Sequence, residues 1–313
     1  MEMTIIKAIQ SISSPIMDFI MYGFTNFGES IFFLMVFFII YWCYSKEFAM
    51  KYTLIYLLSV GVNQIIKNVV KRPRPYLADS TINNLHTQSG YSFPSGHTQA
   101  YFVQFGLIST EMKKNNLKRY IFNTATIFLF VMGVMVMVSR QYLGQHYLSD
   151  TVVAAILGIT VAVIGQMIVS SNSNIMKKLK KIFNMRFFSV LIIFIALILY
   201  TLISCFGVLN SASSLGMITM FSGAMLGVSI SYLIDYHFIH YNPKDVLCVS
   251  VFKAMVGLVM VGLPLIGLDM LFQFNEITQF FLYFIVAIIG ALFVPLLFKA
   301  MFNERYNKEG KNG

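Results

Sequence analysis

Apolar runs of the length needed to cross a bilayer recur from one end of this 313-residue chain to the other. Hydrophobic residues make up 57% of the sequence and charged residues 12%, which is roughly half the charged share of a soluble domain. The runs predict crossings near residues 27–45, 49–70, 96–112, 120–138, 148–170, 187–207, 213–234, 246–268 and 277–300. We therefore predict an all-α, polytopic transmembrane helical bundle with about nine crossings.

Residues 1–24 precede the first run and differ from it in pattern. Isoleucines recur at helical spacing among polar residues, at Ile5, Ile6, Ile9, Ile12 and Ile16. This spacing predicts an amphipathic helix that lies in the membrane interface rather than across it. The segment carries neither a basic n-region nor a small-residue cleavage site, so we expect no signal peptide.

The net charge of +10 is concentrated in short loops. With nine crossings, the basic loops 113–119 and 177–186 and the basic tail 299–311 all fall on one side of the membrane. Short loops rich in Lys and Arg remain cytoplasmic. We therefore predict a multi-pass protein of the cell membrane with its C-terminus in the cytoplasm and its N-terminus outside. Because membrane topology accounts for the basic residues, no nucleic-acid partner is expected.

A basic stretch divides the chain into two halves of different character. We predict a membrane domain over residues 1–170, a cytoplasmic linker over 171–186 and a four-helix transmembrane extension over 187–313. All the polar clusters described below lie in the first domain. The sequence assigns no chemistry to the extension.

Small residues in the extension predict close helix packing. Gly223 and Gly227 have the four-residue spacing that lets helices approach closely in lipid. The same packing role is open to three further glycines, Gly257, Gly262 and Gly267.

One loop of the extension brings together acidic and histidine side chains, Asp235, His237, His240 and Asp245. Their spacing is not that of a zinc site, so we expect no metal there.

Three polar clusters interrupt the apolar first half. They are Lys67 with Arg74-Pro75, then Pro94-Ser95-Gly96-His97, and then Ser139-Arg140 followed by His146 and Asp150. Bilayer segments rarely retain ionisable residues unless a site uses them. The loops that hold these clusters, 71–95 and 139–147, lie on the opposite side from the basic loops, so we predict a site on the extracytoplasmic face.

The first two clusters suit phosphate binding. Seven positions separate Lys67 from Arg74, so the two cations share a helix face if the helix continues that far. A snorkelling basic collar at the headgroup level explains this cluster alone equally well. Ser95 and Gly96 are typical of a helix N-terminus, where free N–H groups attract anions, and His97 follows in the first turn.

The third cluster combines a candidate nucleophile with an orienting group. His146 and Asp150 are four residues apart, which places them on one face of a helix. A carboxylate that accepts the proton of one imidazole nitrogen leaves the other nitrogen free to attack. Arg140 supplies a planar fork for phosphate oxygens. A buried structural His–Asp pair is the alternative, but it does not require Arg140.

Together, and in this order, the clusters resemble the three motifs of the type-2 phosphatidic acid phosphatase superfamily. That superfamily includes membrane lipid phosphatases, glucose-6-phosphatase and the vanadium haloperoxidases, and the resemblance covers residues 16–170. It implies a phosphatase in which His146 attacks phosphorus to form a phosphohistidine while Asp150 orients the ring. It also implies that His97 protonates the leaving oxygen and later deprotonates water.

The resemblance further implies how the phosphate is held and what carries it. The equatorial oxygens would contact Lys67, Arg74, Ser95, Gly96 and Arg140. Since these groups stabilise the developing charge, no metal and no other cofactor is expected. The implied substrate is a lipid phosphate or pyrophosphate in the bilayer, of the phosphatidate, phosphatidylglycerol phosphate or polyprenyl pyrophosphate class. The alternatives are a lipid-linked phosphotransferase that uses the same site, and an inactive lipid-binding or transport relative.

Overall fold

The computed structural model describes residues 1–170, 212–271 and 276–302, and its regular structure in these residues is helical. The helices are α1 (Glu2–Gln10), α2 (Pro15–Asn26), α3 (Ser30–Cys43), α4 (Lys46–Val70), α5 (Pro75–Ala78), α6 (Gly96–Lys114), α7 (Arg119–Tyr142), α8 (Leu148–Ser170), α9 (Ala212–Ile234), α10 (Leu247–Leu271), α11 (Glu276–Ile288) and α12 (Val294–Met301). One π-helical turn follows α9 and another joins α11 to α12. Every predicted crossing within the described residues coincides with a helix. The crossing at 187–207 and the linker at 171–186 lie outside them.

Five helical segments of the described residues are long and apolar enough to cross a membrane. They are Lys46–Ala78, Arg119–Tyr142, Leu148–Val169, Leu247–Leu265 and Thr278–Met301. A sixth is counted if α2 and α3, which are bent by 53° at their junction, form one broken span. α6 is not among them, since polar side chains such as Gln99 and Gln104 interrupt its apolar character. The total of nine crossings therefore stays a prediction.

The N-terminal segment forms two helices instead of one continuous amphipathic helix. Ser14 is the N-cap of α2, and Pro15 occupies its first turn. Proline lacks a backbone N–H and suits the start of a helix, so the chain breaks before it. Ile6 is fully buried in α1, whereas Ile12 and Ile16 are 56% and 75% exposed. That this segment lies in the membrane interface stays a prediction.

The described helices belong to two compact units. Unit 1 comprises Met1–Leu34 and Lys51–Ser171. Unit 2 comprises Met35–Met50 and Asn172–Gly313. All three polar clusters of the sequence lie in unit 1.

In unit 1, α6 packs against both α7 and α8. Gly158 of α8 lies so close to α6 that a Cβ there would be 2.8 Å from the backbone oxygen of Gln99. Gly106 of α6 similarly faces Ala162, whose Cβ would be 2.7 Å from an added Cβ. These small residues let α6 and α8 pack closely along their length, and the first turn of each helix carries part of a polar cluster.

Unit 2 confirms the predicted close approach at the paired glycines. A Cβ at Gly223 would lie 2.1 Å from the backbone oxygen of Phe280, and one at Gly227 would lie 2.6 Å from that of Phe284, both on α11. Gly257 packs on the ring of Trp42. Among the described residues, no heavy atom lies within 4 Å of a Cβ built at Gly262 or Gly267, so a packing role for these two glycines stays a prediction.

The acidic residues of the loop after α9 are engaged in ion pairs within unit 2. Asp235 pairs with Lys46, and Asp245 lies 3.3 Å from the ammonium group of Lys253. Lys253 is fully buried, and its ammonium group lies 4.9 Å from the centroid of the Tyr241 ring. These contacts compensate charges that would be costly to bury alone.

Candidate active site

Lys67 and Arg74 are carried by different helices. Lys67 lies in the last turn of α4, which ends at Val70. Lys71 then adopts a positive φ of 52°, and Pro73 disfavours helical backbone in the residue before it. Arg74 is the N-cap of the short helix α5. The helix that carries Lys67 does not continue to Arg74, so the condition under which the two cations would share a helix face is not met.

The two cations nevertheless reach the same loop. The Lys67 ammonium donates to the Tyr91 carbonyl at 2.9 Å. The guanidinium of Arg74 donates from Nε to the Gly90 carbonyl at 3.0 Å and from Nη2 to the Ser89 carbonyl at 2.8 Å. The third nitrogen of this guanidinium, Nη1, lies 3.4 Å from Nε2 of His146. The backbone carbonyls of residues 89–91 thus gather both cations at one side of the site.

The second cluster forms the predicted helix N-terminus. Ser95 is the N-cap of α6, and its hydroxyl oxygen accepts from the backbone N–H of Thr98 at 3.4 Å. The backbone N–H of Ser95 donates to the backbone carbonyl of Asp150 at 3.2 Å, which ties α6 to α8. A Cβ at Gly96 would come no closer than 3.8 Å to a neighbour, Oδ1 of Asn63. Space is therefore left beside Gly96 at the N-terminus of α6, where free N–H groups attract anions.

His97 is held by two side chains that the sequence did not point to. Its Nε2 lies 2.6 Å from Oε1 of Glu29 and 3.4 Å from Nε2 of Gln88. The adjacent Gly28 allows this approach, since a Cβ there would lie 2.6 Å from the Cβ of His97. Glu29 was detectable in principle, because it is an ionisable residue within the first apolar run. Gln88 carries no such signal.

Arg140 lies at the end of α7 and is fully buried. Its Nη1 donates to the hydroxyl of Thr25 at 2.6 Å, and its Nη2 donates to Oε1 of Gln88 at 2.8 Å. Its Nε has no hydrogen-bond partner among the described residues. A buried guanidinium with a spare donor is suited to binding an oxyanion.

His146 precedes α8 rather than lying on it. After α7 the chain turns at Gly144, whose φ is +73°. A Cβ at Gly144 would also lie 2.4 Å from the backbone oxygen of Asn83, so the turn requires glycine. α8 begins at Leu148. The expectation that His146 and Asp150 share a helix face is therefore wrong, although the turn still brings them together.

The carboxylate of Asp150 is shared between three neighbours. Its Oδ2 lies 3.5 Å from Nδ1 of His146 and accepts from the backbone N–H of Tyr147 at 3.0 Å. Its Oδ1 accepts from Nη1 of Arg72 at 2.7 Å. Nδ1 of His146 makes no hydrogen bond to any described residue. The contact between His146 and Asp150 is thus looser than the ion pair between Arg72 and Asp150.

Arg72 extends this network to the N-terminal helix. Its Nη2 donates to Oε2 of Glu2 at 2.7 Å, and its guanidinium carbon lies 3.6 Å from the centroid of the Tyr147 ring. Oε1 of Glu2 accepts from the backbone N–H of Ser149 at 2.8 Å. The sequence singled out neither Arg72 nor Glu2. Their roles depend on contacts between distant segments.

Burial and nearby cations set the electrostatics of His146. Burial lowers its pKa well below the ordinary value of 6.5, and Arg140, Arg74 and Lys67 lower it further. Its Nε2 lies 3.4 Å from Nη1 of Arg74. A neutral imidazole that faces a cation can attack an electrophile bound to that cation.

All the predicted site residues thus lie in unit 1, at the ends of α4, α6, α7 and α8 and in the turns between them. The described contacts connect Arg74 to His146, His146 to Asp150, and Arg140 through Gln88 to His97. Within the described ranges no group of three His, Cys, Asp or Glu side chains is arranged to hold a metal ion. Cations, a helix N-terminus and two histidines together suit nucleophilic transfer of a phosphoryl group.

Both halves of the chain match known protein families. Residues 48–174 match the PAP2 superfamily. Residues 219–305 match the transmembrane extension of PAP2 superfamily phosphatases. The first match spans all three polar clusters, and the second spans most of the region that sequence reasoning left without a role.

Three characterised proteins are similar to this chain. A probable sphingosine-1-phosphate phosphatase from Dictyostelium discoideum is 29% identical over 51% of this chain and 40% of its own length. The dolichyldiphosphatase of Saccharomyces cerevisiae is 32% identical over 33% of this chain and 44% of its own. Phosphatidylglycerophosphatase B of Bacillus subtilis is 30% identical over 49% of this chain and 75% of its own. The chain thus spans less than half the length of the first two.

Among solved structures, a transmembrane PAP2 type phosphatidylglycerolphosphate phosphatase from Bacillus subtilis aligns with a TM-score of 0.48. The alignment covers 55% of this chain and 86% of that one at 23% identity.

Proposed function

This chain belongs to the PAP2 superfamily, and we propose that it is an integral-membrane phosphatase that hydrolyses lipid phosphate or pyrophosphate esters through a phosphohistidine. The observation that carries the proposal is the contact between Nε2 of His146 and Nη1 of Arg74 at 3.4 Å. A phosphoryl group bound by Arg74 would lie directly in front of the nucleophilic nitrogen, as in-line attack requires.

In the first step, Nε2 of His146 attacks phosphorus and a P–N bond forms. The bond from phosphorus to the leaving oxygen breaks, and its electron pair stays on that oxygen. His97 donates the proton that neutralises it, so that the lipid departs as an alcohol or a lipid monophosphate. The carboxylate of Asp150, 3.5 Å from Nδ1 of His146, stabilises the positive charge that develops on the ring.

In the second step, water attacks the phosphohistidine and the P–N bond breaks. His97, now neutral, accepts a proton from that water, and the electron pair of the P–N bond returns to His146. Inorganic phosphate leaves, and both histidines recover their starting protonation. His146 thus carries the phosphoryl group, while His97 donates a proton in the first step and accepts one in the second.

Lys67, Arg74, Arg140, the hydroxyl of Ser95 and the amide of Gly96 hold the equatorial oxygens in this proposal. In the described structure both Lys67 and Arg74 donate to the loop carbonyls at 89–91. Their positions are therefore fixed before substrate binds, and such preorganised donors stabilise transition-state charge effectively. No metal or other cofactor takes part.

The substrate is proposed to be a lipid that keeps its tail in the bilayer. The names of the relatives span sphingosine-1-phosphate, a dolichyl diphosphate and phosphatidylglycerophosphate. Phosphatidate, phosphatidylglycerol phosphate and polyprenyl pyrophosphate are thus all members of the proposed class. Phosphotransfer to another lipid uses the same first step, with a lipid hydroxyl in place of water. An inactive lipid-binding or transport relative is the other alternative, which the four-helix extension motivates.

The proposed topology follows from the charged loops. Nine crossings put the basic segments 113–119 and 177–186 and the C-terminus in the cytoplasm and the site on the extracytoplasmic face of the cell membrane. In this arrangement residues 1–170 form the phosphatase domain, 171–186 a cytoplasmic linker and 187–313 a transmembrane extension. The N-terminal helices lie at the outer interface.

The test is phosphate release by the purified full-length protein in detergent, with a panel of lipid phosphates as substrates. The His146→Ala variant should lose at least about 1,000-fold in rate, as nucleophile removal does elsewhere. Rapid quenching with labelled substrate should trap an acid-labile phosphoenzyme in the wild type and none in the variant. His237→Ala, which removes an exposed histidine from unit 2, is the matched control and should keep the wild-type rate. Turnover by His146→Ala at the wild-type rate contradicts the mechanism.

A further inference from the structure

Glu29 places a carboxylate at the leaving-group side of the proposed reaction. Its Oε1 lies 2.6 Å from Nε2 of His97, the group that protonates the leaving oxygen. The side chain of Glu29 is 41% exposed, whereas that of His97 is 13% exposed. The carboxylate of Glu29 is therefore more accessible than the imidazole that it contacts.

The other groups around His97 differ in charge, and Arg140 and His86 act electrostatically on the carboxylate of Glu29. Gln88 is neutral and contacts both His97 and Arg140. In the proposed function the guanidinium of Arg140 is assigned to the transferring phosphoryl group. The other two cations, Lys67 and Arg74, are bound to the loop carbonyls at 89–91. Among the described residues, Glu29 is thus the negatively charged group in contact with His97.

We propose that Glu29 makes this site select lipid monophosphates over lipid diphosphates, because its carboxylate lies beside the histidine that releases the leaving group. This inference rests on the proposed phosphatase function and narrows its substrate class. It assigns Glu29 a role in specificity that is separate from the nucleophile and its partners.

The physical reason is the charge of the leaving group. When a monophosphate reacts, the departing oxygen belongs to an alcohol, which is neutral once His97 has donated its proton. When a diphosphate reacts, the departing group is a lipid monophosphate that still carries negative charge. Like charges a few ångströms apart in a partly desolvated site repel strongly. The carboxylate of Glu29 therefore raises the barrier for the diphosphate alone.

The experiment compares farnesyl monophosphate with farnesyl diphosphate, which differ only by the second phosphate. Initial rates of lipid product formation are measured for the wild type and for Glu29→Gln, which removes the charge and keeps the shape. We expect the wild type to prefer the monophosphate. The ratio of kcat/KM values, monophosphate over diphosphate, should fall about tenfold or more in Glu29→Gln. A general loss of stability would lower both rates and leave this ratio unchanged.

Glu47→Gln is the matched control, because Glu47 is an exposed carboxylate in the first turn of α4. It should keep the wild-type ratio. If Glu29→Gln proves inactive, equilibrium binding of both lipids is measured in a His146→Ala background, with and without Glu29→Gln. Removal of the carboxylate should then favour diphosphate binding by a similar factor. An unchanged ratio in both measurements overturns the role of Glu29. Absence of wild-type turnover with every lipid phosphate instead overturns the proposed function.

Discussion

Arg72 donates a 2.7 Å hydrogen bond from Nη1 to Oδ1 of Asp150. This contact orients the carboxylate so that its other oxygen, Oδ2, lies towards the imidazole of His146 at 3.5 Å. The same guanidinium donates to Glu2 of the N-terminal helix at 2.7 Å. Asp150, the proposed orienting group of the nucleophile, is thus itself held by Arg72, which is not one of the residues of the three clusters.

Arg72→Gln should lower kcat with little effect on KM. The substitution removes a charge-assisted hydrogen bond worth about 1.5–3 kcal/mol, which corresponds to a rate loss of about tenfold to hundredfold. Because Arg72 contacts Asp150 and not the proposed phosphate position, substrate binding should change little. Steady-state kinetics in detergent measures both constants. Lys71→Gln, which removes the adjacent exposed cation, should retain wild-type kinetics, and an equal loss in both variants would refute the role of Arg72.

His146 should remain neutral at a pH where an ordinary histidine is half protonated. Burial, Arg140, Arg74 and Lys67 hold its pKa well below 6.5. Since the native state then binds fewer protons than the unfolded state, the free energy of unfolding should decrease as the pH falls below 6.5. NMR of protein labelled with ¹⁵N-histidine, with His146→Gln used for assignment, follows this titration. Half-protonation at or above that pH would contradict the prediction.

Chelation should leave the activity unchanged. Lys67, Arg74, Arg140, the hydroxyl of Ser95 and the amide of Gly96 are proposed to perform the charge stabilisation that a divalent ion provides in other phosphoryl-transfer enzymes. Phosphate release is measured before and after dialysis against EDTA. Orthovanadate should inhibit competitively, because its five-coordinate form resembles the transferring phosphoryl group. Loss of activity on chelation that a divalent ion restores would show that these groups are insufficient.

The proposed sidedness predicts opposite labelling of two exposed positions. The native cysteines, Cys43, Cys205 and Cys248, are first replaced by alanine. A cysteine introduced at Ser80, in the loop before the second cluster, should react with an impermeant maleimide in intact cells. A cysteine at Leu117, in the basic loop between α6 and α7, should react only after the membrane is permeabilised. The reverse pattern would place the site on the cytoplasmic face.

The three clusters illustrate how far local patterns reach. The N-terminus of α6 at Ser95 and Gly96 follows from the types of neighbouring residue, because capping involves atoms only a few positions apart. The geometry of the other two clusters does not. Pro73 ends the possibility of one helix through Arg74, and Gly144 places His146 in a turn before α8. The spacing left a shared helix possible for Lys67 and Arg74 and predicted one for His146 and Asp150, and the chain interrupts the helix in both cases.

The sequence by itself determined that this chain is built from apolar helices, because composition is a property of the linear chain. The resemblance of its short motifs to those of a known family predicted that Lys67, His97, Arg140 and His146 belong to one site. Only the tertiary structure decided the partners of these groups. Glu29 meets His97 across 68 residues and Arg72 meets Asp150 across 78. Such contacts arise from how helices pack, and helix packing depends on the whole surface of each helix.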